Sequence, residues 1–326
     1  MAKMTNYPYK FSVAPMMDWT DRHCRYFHRL LSPNAYLYTE MITAKAIIHG
    51  DKDRLLGFNA FEKPLALQLG GSDPQELAKA AKIGESYGYD EINLNCGCPS
   101  DRVQSGMFGA CLMAEPVLVA NCVKAMQDAV SVPVTVKCRI GIDDSEDFAF
   151  LDRFVKTIAD IGCGTFIIHA RKAWLQGLSP KQNREVPPLD YDIVKQIKDK
   201  YSDLVIGVNG GIKTLEDVKS HLKNFDSVMI GREVYQNPLF LVALEQAIFN
   251  KDWAINEHDM LTQMGHYAEQ QHKDYGTPLK SISRHMTGLF AGQHGARYWR
   301  QQLAERAHKD DVPFTLFTDI YNEIQQ

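Results

Sequence analysis

Over residues 12–231, short runs of β-branched and aliphatic residues alternate with longer amphipathic stretches. Eight runs stand out, at 12–17, 35–43, 64–70, 91–96, 133–139, 165–170, 204–209 and 227–231. Several are continuously apolar, as in Phe166-Ile167-Ile168 and Leu204-Val205-Ile206, which is the pattern of parallel strands covered by helices rather than of strands with one wet face. The stretches between them carry helix-start signals. Ser72-Asp73-Pro74 precedes 75–87 and Thr214-Leu215-Glu216-Asp217 precedes 218–224, so a short polar side chain stands ready to accept from the N–H groups of the first turn. Eight strand–helix units in succession match a (β/α)8 TIM barrel, whereas a doubly wound sheet more often uses about five to seven strands. After Pro238 the strand-like runs stop, and 239–249, 257–275, 279–288, 296–307 and 314–325 are all helix-compatible. Breaks at Thr277-Pro278 and Gly292–Gly295 read as helix–helix connections. The pattern predicts an α/β barrel over 1–239 followed by a smaller all-α domain over 240–326.

Composition narrows the setting. The chain has 326 residues, 45% hydrophobic and 23% charged, with no low-complexity tract, so the whole of it is expected to fold. The first ten residues lack an apolar core of signal-peptide length, and no later run approaches the roughly 20 apolar residues of a membrane span; the expectation is a cytoplasmic protein with no membrane partner. The seven cysteines are odd in number, form no CxxC pair and mostly lie in apolar runs, which suggests neither disulfides nor a metal site. Net charge is −4, too acidic for a chain that coats nucleic acid throughout. Between 272 and 309, however, Lys273, Lys280, Arg284, Arg297, Arg300, Arg306 and Lys309 face only Asp274 and Glu305, a basic patch on an acidic protein.

A barrel of this kind places its chemistry at the C-terminal ends of the strands. Those exits carry Ala14-Pro15-Met16-Met17, Glu40, Gln68, Asn93 with Asn95, Lys137 with Arg139, His169 with Arg171, Asn209-Gly210-Gly211 and Gly231-Arg232. Glycine-rich turns after the seventh and eighth strands are a common phosphate site, with Arg232 adding charge, and equally a means of turning tightly. Lys137 lies within an apolar strand, where an ammonium needs an anionic partner, a neighbouring carboxylate or an escape to the rim. His169 is as compatible with a satisfied core histidine as with a ligand contact. Cys98, between Gly97 and Pro99, reads as a loop thiol, with an inert buried cysteine as the alternative, whereas Cys96 reads as packing or loop structure.

The segment Leu94-Asn95-Cys96-Gly97-Cys98-Pro99-Ser100, continuing through Arg102 to Gly106, Gly109 and Ala110, resembles the signature of the tRNA-dihydrouridine synthases. Ala14-Pro15-Met16, Gln68-Leu69-Gly70, Val136-Lys137-Cys138-Arg139, Ile168-His169-Ala170-Arg171, Val208-Asn209-Gly210-Gly211 and Met229-Ile230-Gly231-Arg232 resemble that family in order and spacing. The stretch from Trp174 to Pro180, with Asn183-Arg184, resembles its bacterial branch acting at positions 20 and 20a of the tRNA D-loop.

The resemblance implies FMN held by Pro15, Met16, Met17, Gln68, Lys137, His169, Asn209, Gly210, Gly211, Gly231 and Arg232. It also implies NADPH as reductant, Cys98 as proton donor and a helical tRNA-binding tail. A reduced flavin would give Lys137 its anionic partner. Asn95, Lys137 and Arg171 are candidates to read an extruded uracil. Asn183, Arg184, Arg297 and Arg300, with Lys280 and Arg284 beside them, are candidates to hold the tRNA. A monomer without metal is expected. A flavin barrel acting on a small molecule is disfavoured by the basic C-terminal region, and a non-catalytic RNA-binding protein by the filled series of strand exits.

Overall fold

The computed structural model describes residues 9–100, 106–145, 147–309 and 312–326; Arg102 of the signature lies outside them. Eight parallel strands are present: β1 Phe11–Val13, β2 Leu37–Thr43, β3 Leu65–Gly70, β4 Glu91–Cys96, β5 Val134–Arg139, β6 Thr165–His169, β7 Val205–Asn209 and β8 Ser227–Ile230. Their order is β1-β8-β7-β6-β5-β4-β3-β2. Tyr36 joins the two ends, since its N–H donates to Phe11 O at 3.2 Å and its carbonyl accepts from Val13 N at 2.9 Å. Helices alternate with the strands as expected. Asp73 caps Pro74–Tyr87 by accepting from Gln75 N and Glu76 N, with Pro74 in the first turn, where its missing N–H costs nothing. Thr214 and Asp217 form a reciprocal capping box on Leu215–His221.

The first strand is shorter than the apolar run predicts. Pro15, with no N–H to give a ladder, stands one residue beyond the last sheet contact, in which Ala14 N donates to Ile230 O at 2.8 Å. Residues 14–17 are thereby released as an exit loop.

Side-chain alternation then sorts the strand residues. Ile92, Leu94, Cys96, Val136, Cys138, Phe166, Ile168, Ile206 and Val208 are all buried and turn toward the helical layer. The intervening positions face the barrel axis. There Ala14, Tyr36, Tyr38, Ala66, Ile167 and Met229 form an apolar cluster, and the polar residues of β3 to β7 line the rest.

The chain divides into two compact units. One holds the described residues up to Met17 and Tyr36–Gly231; the other holds Asp18–Ala35 and Arg232–Gln326. The division thus differs from the one expected at residue 239. Segment 18–35, including the helix Arg22–Leu31, groups with the C-terminal helices because polar side chains tie it there. Asp21 caps that helix and accepts from Arg284 Nη2 at 2.9 Å, and His285 Nε2 lies 3.0 Å away. Glu245, fully buried, accepts from Ser32 Oγ and from the Asn34 side chain and backbone. The Trp253 indole N–H donates to Leu31 O at 3.0 Å. No helix among the described residues is long and apolar enough to cross a membrane.

His28, fully buried in the same helix, has its imidazole pushed down to about 3, chiefly by burial and further by neighbouring His285 and Arg29. Such a group is neutral when folded but takes a proton near 6.5 when unfolded. Its stabilisation is complete above 6.5 and declines as pH falls toward 3. Between pH 7 and pH 5 this amounts to about 2 kcal/mol of unfolding free energy. Urea unfolding at the two pH values is expected to show the loss in the wild type and a smaller one in His28→Gln; equal losses would assign the dependence elsewhere.

Candidate active site

From the N-terminal ends of β2, β4 and β5 to the C-terminal end of β4, the inward polar residues form one connected set. Thr135 Oγ1 and Tyr38 Oη donate to Glu91 Oε1 at 2.6 and 2.9 Å. Asn93 Nδ2 donates to Thr135 Oγ1 and Gln68 Nε2 to Asn93 Oδ1, both at 2.8 Å. Asn95 Nδ2 donates to Gln68 Oε1 at 2.8 Å, and Asn95 Oδ1 accepts the backbone N–H groups of Gly97 and Cys98 at 3.1 and 3.0 Å. All six residues of the set are buried. Burial pushes the Glu91 carboxyl up to about 7, against the hydrogen bonds from Thr135, Tyr38 and Tyr36, which lower it.

The two cysteines of this segment lie in different surroundings. Cys96 ends β4 fully buried, and burial pushes its thiol well up. After Gly97 the chain leaves the strand, and Cys98 is partly exposed, its thiol 3.6 Å from Ser100 Oγ and its carbonyl accepting from Ala110 N at 2.9 Å. Arg139, itself buried, braces the same loop by donating to Gly97 O at 2.8 Å, and it reaches Lys172 O and Asn183 O at 2.9 and 3.1 Å.

On the opposite arc, Lys137 Nζ donates to Asn209 Oδ1 at 3.2 Å, and Asn209 Nδ2 donates to Met229 O at 2.7 Å. Burial, with Arg139 nearby, lowers the Lys137 ammonium to about 8, which leaves it mostly charged at neutral pH. His169 is held well below its ordinary value by burial and by Arg139, Lys137 and Arg171, so its ring is neutral. Gly210 (φ 110°) lies against that ring, and a β-carbon there would fall 2.6 Å from His169 Cδ2. At Gly211 (φ 70°) a β-carbon would fall 2.4 Å from Leu189 Cδ1. Gly231 is different, since the nearest atoms to a β-carbon would be Ala14 Cβ and Met16 Sδ at 3.7 Å. The protein's own packing does not require glycine there. Met16 packs on the apolar cluster at the axis, Met17 is exposed, and Arg232 opens the helix Arg232–Gln236.

The outer candidates divide. Asn183 is fully buried and its side chain is consumed within its own loop: Oδ1 accepts from Trp174 N at 2.8 Å, while Nδ2 donates to Trp174 O and Leu178 O at 2.9 and 3.1 Å. It therefore shapes the 174–183 loop and does not offer a contact to RNA, contrary to the expectation from its sequence position. Arg171 donates to Pro187 O, and Arg184 is exposed. In the helical unit Arg297 and Arg300 are exposed on the helix Ala296–Arg306, whose Trp299 and Leu303 are buried. Lys280 is exposed as well. Arg284 pairs with Asp21 and Arg306 with Glu323, which removes two charges from the patch.

The Dihydrouridine synthase family profile matches residues 12–325. The chain belongs to the dihydrouridine synthase family. It is 57% identical over 317 residues, covering 97% of both chains, to a protein of Vibrio parahaemolyticus named tRNA-dihydrouridine(20/20a) synthase. Proteins of the same name from Shewanella oneidensis and Escherichia coli K12 are 55% and 59% identical, covering 97% and 92% of this chain and 94% and 87% of theirs. Dihydrouridine synthases are flavin-dependent, and the donor set fits a flavin: a charged lysine, amides at 68 and 209, and a glycine turn at 231 with room beside it.

Glu91, Thr135 and Tyr38 were not among the sequence candidates. The signal for Glu91 and Thr135 was present in the polar residues at every second position of 91–95 and 135–139. Gly210→Ala is expected to lower unfolding free energy by about 2 kcal/mol through strain and overlap with His169, and Gly231→Ala of the flavin-free protein to stay within about 0.5 kcal/mol of wild type. Equal losses in thermal unfolding would contradict this difference in packing.

Proposed function

We propose that this chain is a tRNA-dihydrouridine synthase that reduces the C5=C6 bond of D-loop uridines 20 and 20a, with FMN as cofactor and NADPH as reductant. Cys98 carries the reading: it is a partly exposed thiol on a braced loop at the C-terminal ends of strands whose other exits present Gln68, Lys137, His169 and Asn209. FMN, when bound, would supply hydride chemistry for C6 of the uracil, with NADPH as the reductant. Cys98 gives the proton to C5 as charge develops there, a role a thiol can fill and for which a serine hydroxyl is too weak an acid. Lys137, fixed by Asn209, would supply a positive charge to a flavin that becomes negative on reduction. Neutral His169 offers a hydrogen bond, not a charge, and with Gln68, Pro15, Met16 and Met17 it holds the ring in place. The Gly210-Gly211 and Gly231-Arg232 turns take the phosphate.

Asn95 and Arg171 orient an extruded base, whose unstacking costs a few kcal/mol. Phosphate contacts come from Arg297, Arg300 and Lys280 in the helical unit and from Arg184 in the barrel unit. The names of the relatives and the exposed Arg297–Arg300 face favour tRNA over a small molecule.

Dihydrouridine mapping in a strain lacking this protein is expected to show loss at positions 20 and 20a, restored by the wild type. Cys98→Ala is expected to slow reduction by at least about 100-fold. Loss at other positions would move the site of action, and full restoration by Cys98→Ala would remove the thiol from the chemistry. A purified protein that is colourless and takes up no FMN would overturn the reading as a whole.

A further inference from the structure

We propose that Glu91 is a positioning residue that acts on Cys98 through the buried chain Thr135–Asn93–Gln68–Asn95, by dictating the direction of every hydrogen bond along it. The chain has two ends of fixed character. At one end the backbone N–H groups of Gly97 and Cys98 can only donate. At the other, Glu91 Oε1 already takes two hydroxyl hydrogens. Oε1, as the shared acceptor of both hydroxyls, makes this the accepting end of the chain.

Between these ends each step follows from the one before. Thr135 spends its single hydrogen on Glu91, so Oγ1 must accept from Asn93 Nδ2. Asn93 then presents Oδ1 to Gln68 Nε2, and Gln68 presents Oε1 to Asn95 Nδ2. Asn95 is left with Oδ1 toward the Cys98 loop, the one orientation that accepts from both N–H groups. An amide turned the other way would set donors against donors, and the loop would lose both bonds. A carboxylate at the start of β4 thus holds the thiol loop at its end, and Thr135 is the relay's one single-hydrogen link. The proposal takes its functional meaning from Cys98 as proton donor. Its test does not depend on that role.

The rate of iodoacetamide alkylation at Cys98, read by mass spectrometry on the FMN-loaded protein, reports the loop. Cys111 is the internal control, being the other partly exposed cysteine among those described, with its thiol on Phe108 O at 3.2 Å. Thr135→Val removes the link, and the expected result is about fivefold faster alkylation of Cys98, the effect of one buried hydrogen bond, with Cys111 unchanged. Thr135→Ser keeps the hydroxyl and should react as wild type. Glu91→Gln preserves volume but can donate as well as accept, so it frees one end and should give a smaller rise of about twofold. Wild-type rates at Cys98 in both Thr135→Val and Glu91→Gln would overturn the proposal. So would a rise shared by Cys111, because that reports general loosening. Uridine reduction by Cys98→Ala tests the thiol's role separately, so the two ideas can fail independently.

Discussion

A buried amide must find a partner for its hydrogens and its oxygen, and this barrel places four of them, Gln68, Asn93, Asn95 and Asn209, on its inner face. An unmet donor or acceptor there costs about 1–3 kcal/mol. The interior is therefore workable only as a connected set, and none of the buried side-chain nitrogens and oxygens among the described residues is left without a partner. The same condition makes the mouth rigid. Asn95 cannot turn without disturbing Gln68, nor Asn209 without releasing Lys137. Side chains that would meet a ligand are held by neighbours that would not.

This dependence explains what could be read from the chain and what could not. The strands were legible because their outward residues are apolar, and burial against helices leaves that mark on the sequence whatever the partner. The exits were legible because each apolar run ends abruptly in polar or glycine residues. Glu91 was hidden at the opposite end of its strand, where a carboxylate looks like a boundary marker. Its importance depends on Tyr38 and Thr135, residues 53 and 44 positions away. Asn183 was misread for the complementary reason. Its place beside Arg184 in a loop suggests exposure, while the loop folds inward around its side chain. Segment 18–35 follows a barrel strand in sequence, but Asp21 meets Arg284 and His285 only through pairings more than 260 residues apart. Local pattern carries no trace of such contacts.

Electrostatics give the mouth a single bias. Lys137, Arg139 and Arg171 all act on His169 in the same sense, and together with burial they keep its ring free of a proton. Arg139 is spent on three carbonyls of two loops, and its carbon stem and charge remain fixed behind the site. Lys137 is different, because among the described residues it donates to a neutral amide, so its charge is oriented but not cancelled. Burial lowers its pKa without reaching neutrality. A cation held in that way favours whatever in the mouth becomes negative during a reaction. It does so more strongly for a charge that appears there than for one already shielded in water, because the site's dipoles are set beforehand. The hydrogen-bonded amides thus supply geometry and the lysine supplies the sign, and a flavin bound at this mouth would need both, because its ring becomes negative on reduction.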